Sequence, residues 1–267
     1  MAGKRKQTPT EVFEMAVADA EHLIALVEGF TNQRKRRMRA ELRDRVGEAL
    51  KVGVGDRQHL DCLESDDLFV VFKPGGRLCR NDFVDARPLL RQALVAACAA
   101  FETYLADKVM SLVGPLLKNE ATLTRRLREL PLTLAVWMEI EQKYERKRWG
   151  LREYVVEPAV REMSSTAPNQ VGALLGLLGV DDWARKVDKQ RGVQRGRTVK
   201  DLERITARRN RIAHEADRVG RGRAPLGIAE VRDEITVLRS VVGAIESLLA
   251  APPRSTGTSS TGMGREG

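Results

Sequence analysis

The stretch RQALVAACAAFETYLADKVMSLV, residues 91–113, decides the fold class, because it is the most strongly patterned long segment of the chain. Its apolar residues follow a helical pattern, and the segment from residue 82 to residue 113 is predicted to form one helix or a helix pair. Small side chains along it would let another helix approach closely; these are Ala93, Ala96, Ala97, Ala99 and Ala100.

Similar patterns on both sides of this stretch predict further helices. Thr10 is a candidate N-cap, and apolar residues recur after it at three- and four-residue spacing. Thr198 is the candidate N-cap of a later helix, which a loop at 219–227 separates from the last one. The predicted helices, with prolines as start or break signals, cover residues 10–27, 32–50, 119–130, 131–150, 151–163, 167–178, 199–217 and 228–250. The expected fold class is therefore all-α, a helical bundle with additional N-terminal helices.

The chain divides into four segments by composition and pattern. The second of them, residues 10–80, is expected to contain a small non-helical insertion near residues 55–78. The run Leu68–Phe72 and the turn residues after it indicate a strand followed by a turn. The segments are a disordered basic tail at 1–9, N-terminal helices with this loop and short-strand insertion at 10–80, the helical bundle at 81–250, and a low-complexity, disordered tail at 251–267.

The composition bounds the partners and the compartment. A net charge of +9 indicates an anionic partner, with nucleic acid first, although a generally arginine-rich protein would carry the same charge. The three cysteines form no CxxC pair, which argues against a disulfide framework or a zinc site and suits a reducing cytoplasm. The N-terminus lacks the apolar region of a secretory signal, and no stretch approaches an uncharged membrane span. We therefore expect a cytoplasmic protein with no membrane association.

The segment DLERITARRNRIAHEAD, residues 201–217, carries the candidate chemistry. Its apolar stripe, formed by Leu202, Ile205, Ile212 and Ala216, is interrupted by Arg209. Because a guanidinium is rarely buried without a partner, this arginine needs an explanation. Two remain open at this point: Arg209 is functional, or it snorkels to solvent or pairs with a core acid such as Glu102.

A polar stripe lies beside the apolar one. Asn210, His214 and Asp217 follow one another at i+4 and i+3 offsets, so Asp217 is positioned to hold the His214 imidazole in one tautomer. Arg209 and His214 are five residues apart and therefore about 140° apart on an ideal helix. If they act together, either the helix is distorted here or a second subunit supplies its own copy across a two-fold axis. His214 is otherwise an ordinary surface histidine.

The string RRNRIAHEAD, residues 208–217, resembles the R-X4-6-H motif of the HEPN superfamily, in its Arg-Asn-X3-His form. Two more segments, GVDDWARKV at 179–187 and LVAACAAFETYLADKV at 94–109, resemble the bacterial branch labelled RiboL-PSP-HEPN. The resemblance covers roughly residues 85–250, and residues 10–80 resemble no family. One departure concerns Ala216, where the branch paired with a nucleotidyltransferase antitoxin has Tyr.

This resemblance implies a bundle of four to five helices that dimerises so that the two motif segments face each other. It makes Arg209 and His214 the catalytic pair of an RNA endonuclease, with supporting roles for Asn210 and Glu102. Asp217 is expected to support His214, and the neighbouring Arg208 and Arg211 are expected to contact RNA. The implied settings are toxin–antitoxin, anti-phage and stress systems, with RNA, a second copy of the chain and an antitoxin or other defence protein as partners.

The expected reaction needs no metal and no cofactor. His214 would take the proton from a ribose 2′-hydroxyl, and Arg209 would stabilise the charge that develops on the phosphoryl oxygens, leaving a 2′,3′-cyclic phosphate. Two other functions stay open. A non-catalytic HEPN-like module would bind RNA or protein through its surface, and a helical DNA-binding regulator would use basic residues within 167–217.

Overall fold

A computed structural model describes residues 7–31, 40–49, 51, 53–55, 87–220 and 222–250, and within them the chain is mostly helical, as the sequence predicts. The predicted strand and turn near residues 68–76 and the C-terminal tail lie outside the described residues. In order, the helices are α1 (Pro9–Thr31), α2 (Ala40–Ala49), α3 (Arg87–Leu116), α4 (Arg125–Arg128), α5 (Leu134–Lys143), α6 (Lys147–Leu151), α7 (Glu157–Met163), α8 (Pro168–Leu177), α9 (Trp183–Arg191), α10 (Arg197–Glu215) and α11 (Ile228–Ala250).

Short irregular elements connect these helices. A 3-10 turn at Glu120–Thr122 precedes α4, and a π-helical turn at Arg152–Val156 joins α6 to α7. Two short strands, β1 (Arg218–Val219) and β2 (Gly222–Arg223), pair antiparallel between α10 and α11. The segment predicted as a loop at 219–227 therefore contains the second residue of β1 and all of β2.

Helix α1 begins with a reciprocal pair of hydrogen bonds. The Glu11 backbone amide donates to the Thr8 hydroxyl, and the Thr8 amide donates to the Glu11 carboxylate at 2.7 Å. This is a capping box, which satisfies two backbone donors that the first helical turn leaves without partners. The N-cap is therefore Thr8 and not Thr10, whose hydroxyl donates instead to Glu246 on α11.

Helix α3 is the central element of the described structure, and α1, α8, α10 and α11 pack against it. By length and composition it could also cross a membrane, but its apolar side chains are largely used in the core. The small residues that predicted close approach include the fully buried Ala93 and Ala97. The other buried apolar residues of α3 are Leu90, Leu94, Cys98, Ala100, Phe101, Tyr104, Leu105, Val109 and Val113.

The start of α10 is fixed by an acid from the preceding helix. Asp188 on α9 accepts hydrogen bonds from the backbone amides of Gly196 at 2.6 Å and Thr198 at 2.8 Å. The N-cap position is taken by Gly196, with φ of +80°, so the predicted cap residue Thr198 lies inside the helix. Burial raises the pKa of Asp188, but the hydrogen bonds from Thr198 and Gly196 outweigh it and leave the pKa below its ordinary value.

Candidate active site

The candidate site lies where the C-terminal half of α10 meets α3. Arg209 Nη2 is 3.5 Å from Glu102 Oε2, and both side chains are partly buried, 28% and 17% exposed. Glu102 also accepts a hydrogen bond from the Thr166 backbone amide at 3.2 Å. The acid therefore joins three parts of the chain, namely α3, α10 and the segment before α8.

Arg209 keeps part of its hydrogen-bonding capacity free. Its Nη1 donates to the Asn210 side chain at 3.1 Å, while Nε is buried without a hydrogen-bond partner. Asn210 itself is exposed. The guanidinium is therefore anchored on one side by Glu102 and remains partly open to solvent, as a group that binds an anion must be.

A buried thiol packs close to this ion pair without joining its chemistry. Cys98 lies one turn before Glu102 on α3 and is fully buried. Burial, reinforced by the charge of Glu102, raises the pKa of this thiol. Since the reactive form of cysteine is the thiolate, Cys98 is not a nucleophile at neutral pH.

His214 is exposed in the last turn of α10, which ends at Glu215. Its imidazole makes no hydrogen bond within the described part of the chain. The helix is α-helical along its whole length from Arg197 to Glu215, so no distortion turns His214 toward Arg209. The offset of about 140° between the two side chains therefore persists in one subunit.

Asp217 does not orient His214, in contrast to the expectation from its spacing. The helix ends before it, and Ala216 and Asp217 have left-handed φ angles of +50° and +56°. This turn directs the carboxylate of Asp217 into the core, where Oδ2 accepts from Arg91 Nε and Arg208 Nη2, each at 3.0 Å. Asp217 is therefore a buried counter-ion of two arginines.

Arg208 also has a different place from the one expected. It is 8% exposed, paired with Asp217, and donates to the Pro225 carbonyl at 2.7 Å. A side chain held in this way is not available to RNA, so the expected RNA contact is wrong for Arg208. Arg211, the other arginine expected to contact RNA, is exposed.

Arg91 is the residue of this region that sequence reasoning missed. It is 4% exposed, and besides its pair with Asp217 it donates to the Ala224 carbonyl at 2.7 Å. Its only sequence signal is a charge at the start of the apolar run of α3. That position did not reveal its partner, which lies 126 residues further along the chain.

Comparisons with known proteins identify no relative of this chain. No known protein family, curated protein or solved structure matches the chain significantly. Across the residues that the structure describes, no group of three or more His, Cys, Asp or Glu side chains is placed to hold a metal ion. The candidate chemistry of this chain therefore lies in the residues of α3 and α10 described above.

Proposed function

We propose that this protein is a metal-independent RNA endonuclease of the HEPN type, with Arg209 and His214 as its catalytic pair. The observation that carries the proposal is the guanidinium of Arg209, which the ion pair with Glu102 anchors while 28% of the side chain stays exposed. An arginine that interrupts an apolar stripe is fixed by the acid that the motif resemblance names. Arg209 lies on α10, five residues before the exposed His214.

The proposed reaction is an internal transesterification. His214 accepts the proton of a ribose 2′-hydroxyl, whose oxygen forms a new bond to the adjacent phosphorus. The bond from phosphorus to the 5′-oxygen breaks, and that oxygen takes a proton as it leaves. Arg209 donates two parallel N–H groups to the phosphoryl oxygens as their charge increases. The products are a 2′,3′-cyclic phosphate and a free 5′-hydroxyl.

The angular offset on α10 supports a dimeric site in this proposal. Because α10 is regular, Arg209 and His214 of one subunit project from different sides of the helix. A two-fold axis beside the end of α10 would bring Arg209 of one subunit to His214 of the other. The second histidine would then be available to protonate the 5′-oxygen.

The biological setting stays part of the proposal. A ribonuclease of this kind fits a toxin–antitoxin, anti-phage or stress system, working in the cytoplasm on RNA. Regulation by an antitoxin or another defence protein belongs to the same proposal. Ala216 stands where one antitoxin-paired branch has Tyr, which argues against control by modification of that tyrosine.

A non-catalytic RNA-binding module is the second candidate. This candidate is favoured because the His214 imidazole has no orienting hydrogen bond within the described part of the chain. Catalytic histidines usually have such a partner, which fixes the tautomer. In this alternative, Arg209 and Arg211 bind phosphate, and no bond of the RNA is broken.

RNA cleavage in EDTA by the wild type and His214→Ala separates the two candidates. The matched control is His22→Ala, which removes an exposed histidine from α1. We expect cyclic phosphate ends with the wild type and with His22→Ala, and at least a hundredfold slower cleavage with His214→Ala. Binding without cleavage by a folded wild-type dimer would favour the module, and activity that returns only with Mg²⁺ would contradict the proposed mechanism.

A further inference from the structure

Two arginines occupy directly opposite positions on the hairpin that follows α10. Arg218 and Arg223 are directly opposite in the antiparallel register, and both are exposed. Directly opposite residues project from the same face of a strand pair, and like charges there are destabilising. Neither guanidinium has a hydrogen bond or an ion pair within the described residues, so none of these residues compensates the repulsion.

The hairpin is rigidly attached at both of its ends. Asp217, just before β1, is held by Arg91 and Arg208, and its carbonyl accepts from the Ala224 amide at 2.8 Å. After β2, the same two arginines bind the carbonyls of Ala224 and Pro225, each at 2.7 Å. The two exposed arginines are therefore presented by a fixed backbone, so a ligand has to order only their side chains when it binds.

The location of the pair connects it with the candidate active site. Arg218 follows His214 by four residues, so their Cα atoms can be at most about 14 Å apart, the length of the fully extended chain between them. Arg211, one turn before His214, is exposed on the same end of α10. A ligand bound by the hairpin would therefore lie near the end of α10 that carries His214.

We propose that Arg218 and Arg223 together bind a phosphate of the RNA backbone next to the scissile bond. An anion between them would remove the repulsion, and the planar guanidinium matches the geometry of phosphate oxygens. The choice of RNA as the source of the phosphate rests on the proposed ribonuclease function. The pair contributes affinity and register without reading the base sequence, because it contacts only the backbone.

The test is binding of a 2′-O-methyl RNA, which cannot undergo the proposed cleavage, at a series of salt concentrations. The logarithm of the RNA-binding constant falls linearly with the logarithm of the salt concentration. For single-stranded RNA, each lost phosphate contact makes this slope shallower by about 0.7. The double variant R218Q/R223Q loses this one phosphate contact, so it should reduce the slope by about 0.7 and weaken binding on the order of tenfold at low salt. Arg195→Gln is the matched control, since Arg195 is an exposed arginine without a partner in the described residues.

Charge reversal at one position distinguishes ligand binding from a purely structural role. In Arg218→Glu the new carboxylate faces Arg223 and forms a favourable cross-strand pair. We expect an unchanged or higher melting temperature together with weaker RNA binding. A loss of both stability and binding would overturn the inference, because it would mean that the arginine mainly supports the hairpin.

We call the phosphate-binding pair of Arg218 and Arg223 the clamp. The remaining outcomes distinguish the clamp from the proposed cleavage reaction. One outcome is that the wild type cleaves no RNA while R218Q/R223Q binds RNA more weakly and with less salt dependence than the wild type. In that case the clamp is supported and the proposed reaction is contradicted. If the wild type cleaves RNA and R218Q/R223Q binds like Arg195→Gln, the clamp fails and the reaction stands. Absence of wild-type binding to the 2′-O-methyl RNA also overturns the clamp.

Discussion

Glu102 on α3 and Arg209 on α10 form an ion pair at 3.5 Å across the interface of the two helices. The pair explains how a guanidinium occupies a position inside an apolar stripe, since its charge is neutralised while part of the side chain stays in solvent. The pair agrees with one of the two explanations that the sequence leaves open, in which Arg209 pairs with a core acid such as Glu102. In the proposed reaction, the acid fixes the direction from which Arg209 meets the phosphate.

Replacing Glu102 with Gln should affect activity more than stability. The amide keeps the size of the side chain and can still accept from Thr166, but it no longer holds the guanidinium by charge. We expect cleavage to fall at least tenfold, because small errors in position are costly in catalysis. The free energy of unfolding should fall by less than about 1 kcal/mol, since the pair is long and partly solvated.

Cleavage assays and urea denaturation of Glu102→Gln provide both quantities. The control is Glu129→Gln, which disrupts the exposed pair of Arg125 and Glu129 at α4, on neither of the two helices that carry the candidate site. Unchanged cleavage by Glu102→Gln would show that Arg209 needs no positioning by this acid.

Asp217→Asn should destabilise the protein strongly. Its carboxylate is the shared counter-ion of Arg91 and Arg208, and all three side chains are buried. Removing the negative charge leaves two buried guanidinium groups without compensation, which costs about 3–5 kcal/mol in comparable cases. Urea denaturation measures the change, and a loss below about 1 kcal/mol would contradict the role of Asp217 as their counter-ion.

The long amphipathic helices were predictable because periodicity and end signals agree. The last helix was predicted at residues 228–250, and α11 spans Ile228–Ala250. Its buried side follows a regular helical spacing and Gly227 precedes it, so no tertiary contact has to be known. The short helices between α3 and α8 were predicted only as broader segments, because their boundaries depend on local caps.

The end of α10 could not be predicted from the sequence. Two consecutive left-handed residues, Ala216 and Asp217, end the helix without the glycine that normally signals such a turn. This unfavourable backbone is compensated by long-range contacts of Asp217, which local patterns do not contain. The buried side of α10 includes Leu202, Ile205 and Arg208, so Arg208 and not Arg209 is the arginine that the core covers.

Acid should weaken the contact between α11 and the N-terminal half of the bundle. Glu246 accepts hydrogen bonds from Thr10, Tyr104 and Lys108. Burial raises the pKa of Glu246, but these three hydrogen bonds outweigh it and leave the pKa below its ordinary value. The corresponding stability is fully present above the unfolded-state pKa of about 4.3 and is lost as the pH falls through the lower folded-state pKa.

Melting temperatures of wild type and Glu246→Gln as a function of pH measure this linkage. We expect the wild type to be more stable at neutral pH and the difference to shrink below about pH 4. A difference that is constant with pH would show that the charge of Glu246 is not involved.

Two glycines provide a matched pair for testing the packing of the short helices. A Cβ at Gly150 would lie 2.6 Å from Ile140 Cγ2, whereas a Cβ at Gly114 would meet nothing within 4 Å. Gly150→Ala should therefore cost about 1–3 kcal/mol through overpacking of α5 against α6. Gly114→Ala should be neutral or stabilising by up to about 1 kcal/mol, because alanine favours the helix. Thermal denaturation of both variants tests this, and equal effects would contradict the close approach at Gly150.

Site-specific removal of the 2′-hydroxyl tests the central claim most directly. An RNA that the wild type cleaves in EDTA at a mapped bond is resynthesised with one 2′-deoxy nucleotide on the 3′-oxygen side of that bond. We expect cleavage at this bond to stop while other bonds are still cut, and the unmodified RNA to yield a 2′,3′-cyclic phosphate. Continued cleavage at the deoxy position, or a product with a 5′-phosphate, would contradict attack by the 2′-hydroxyl and with it the assigned role of His214.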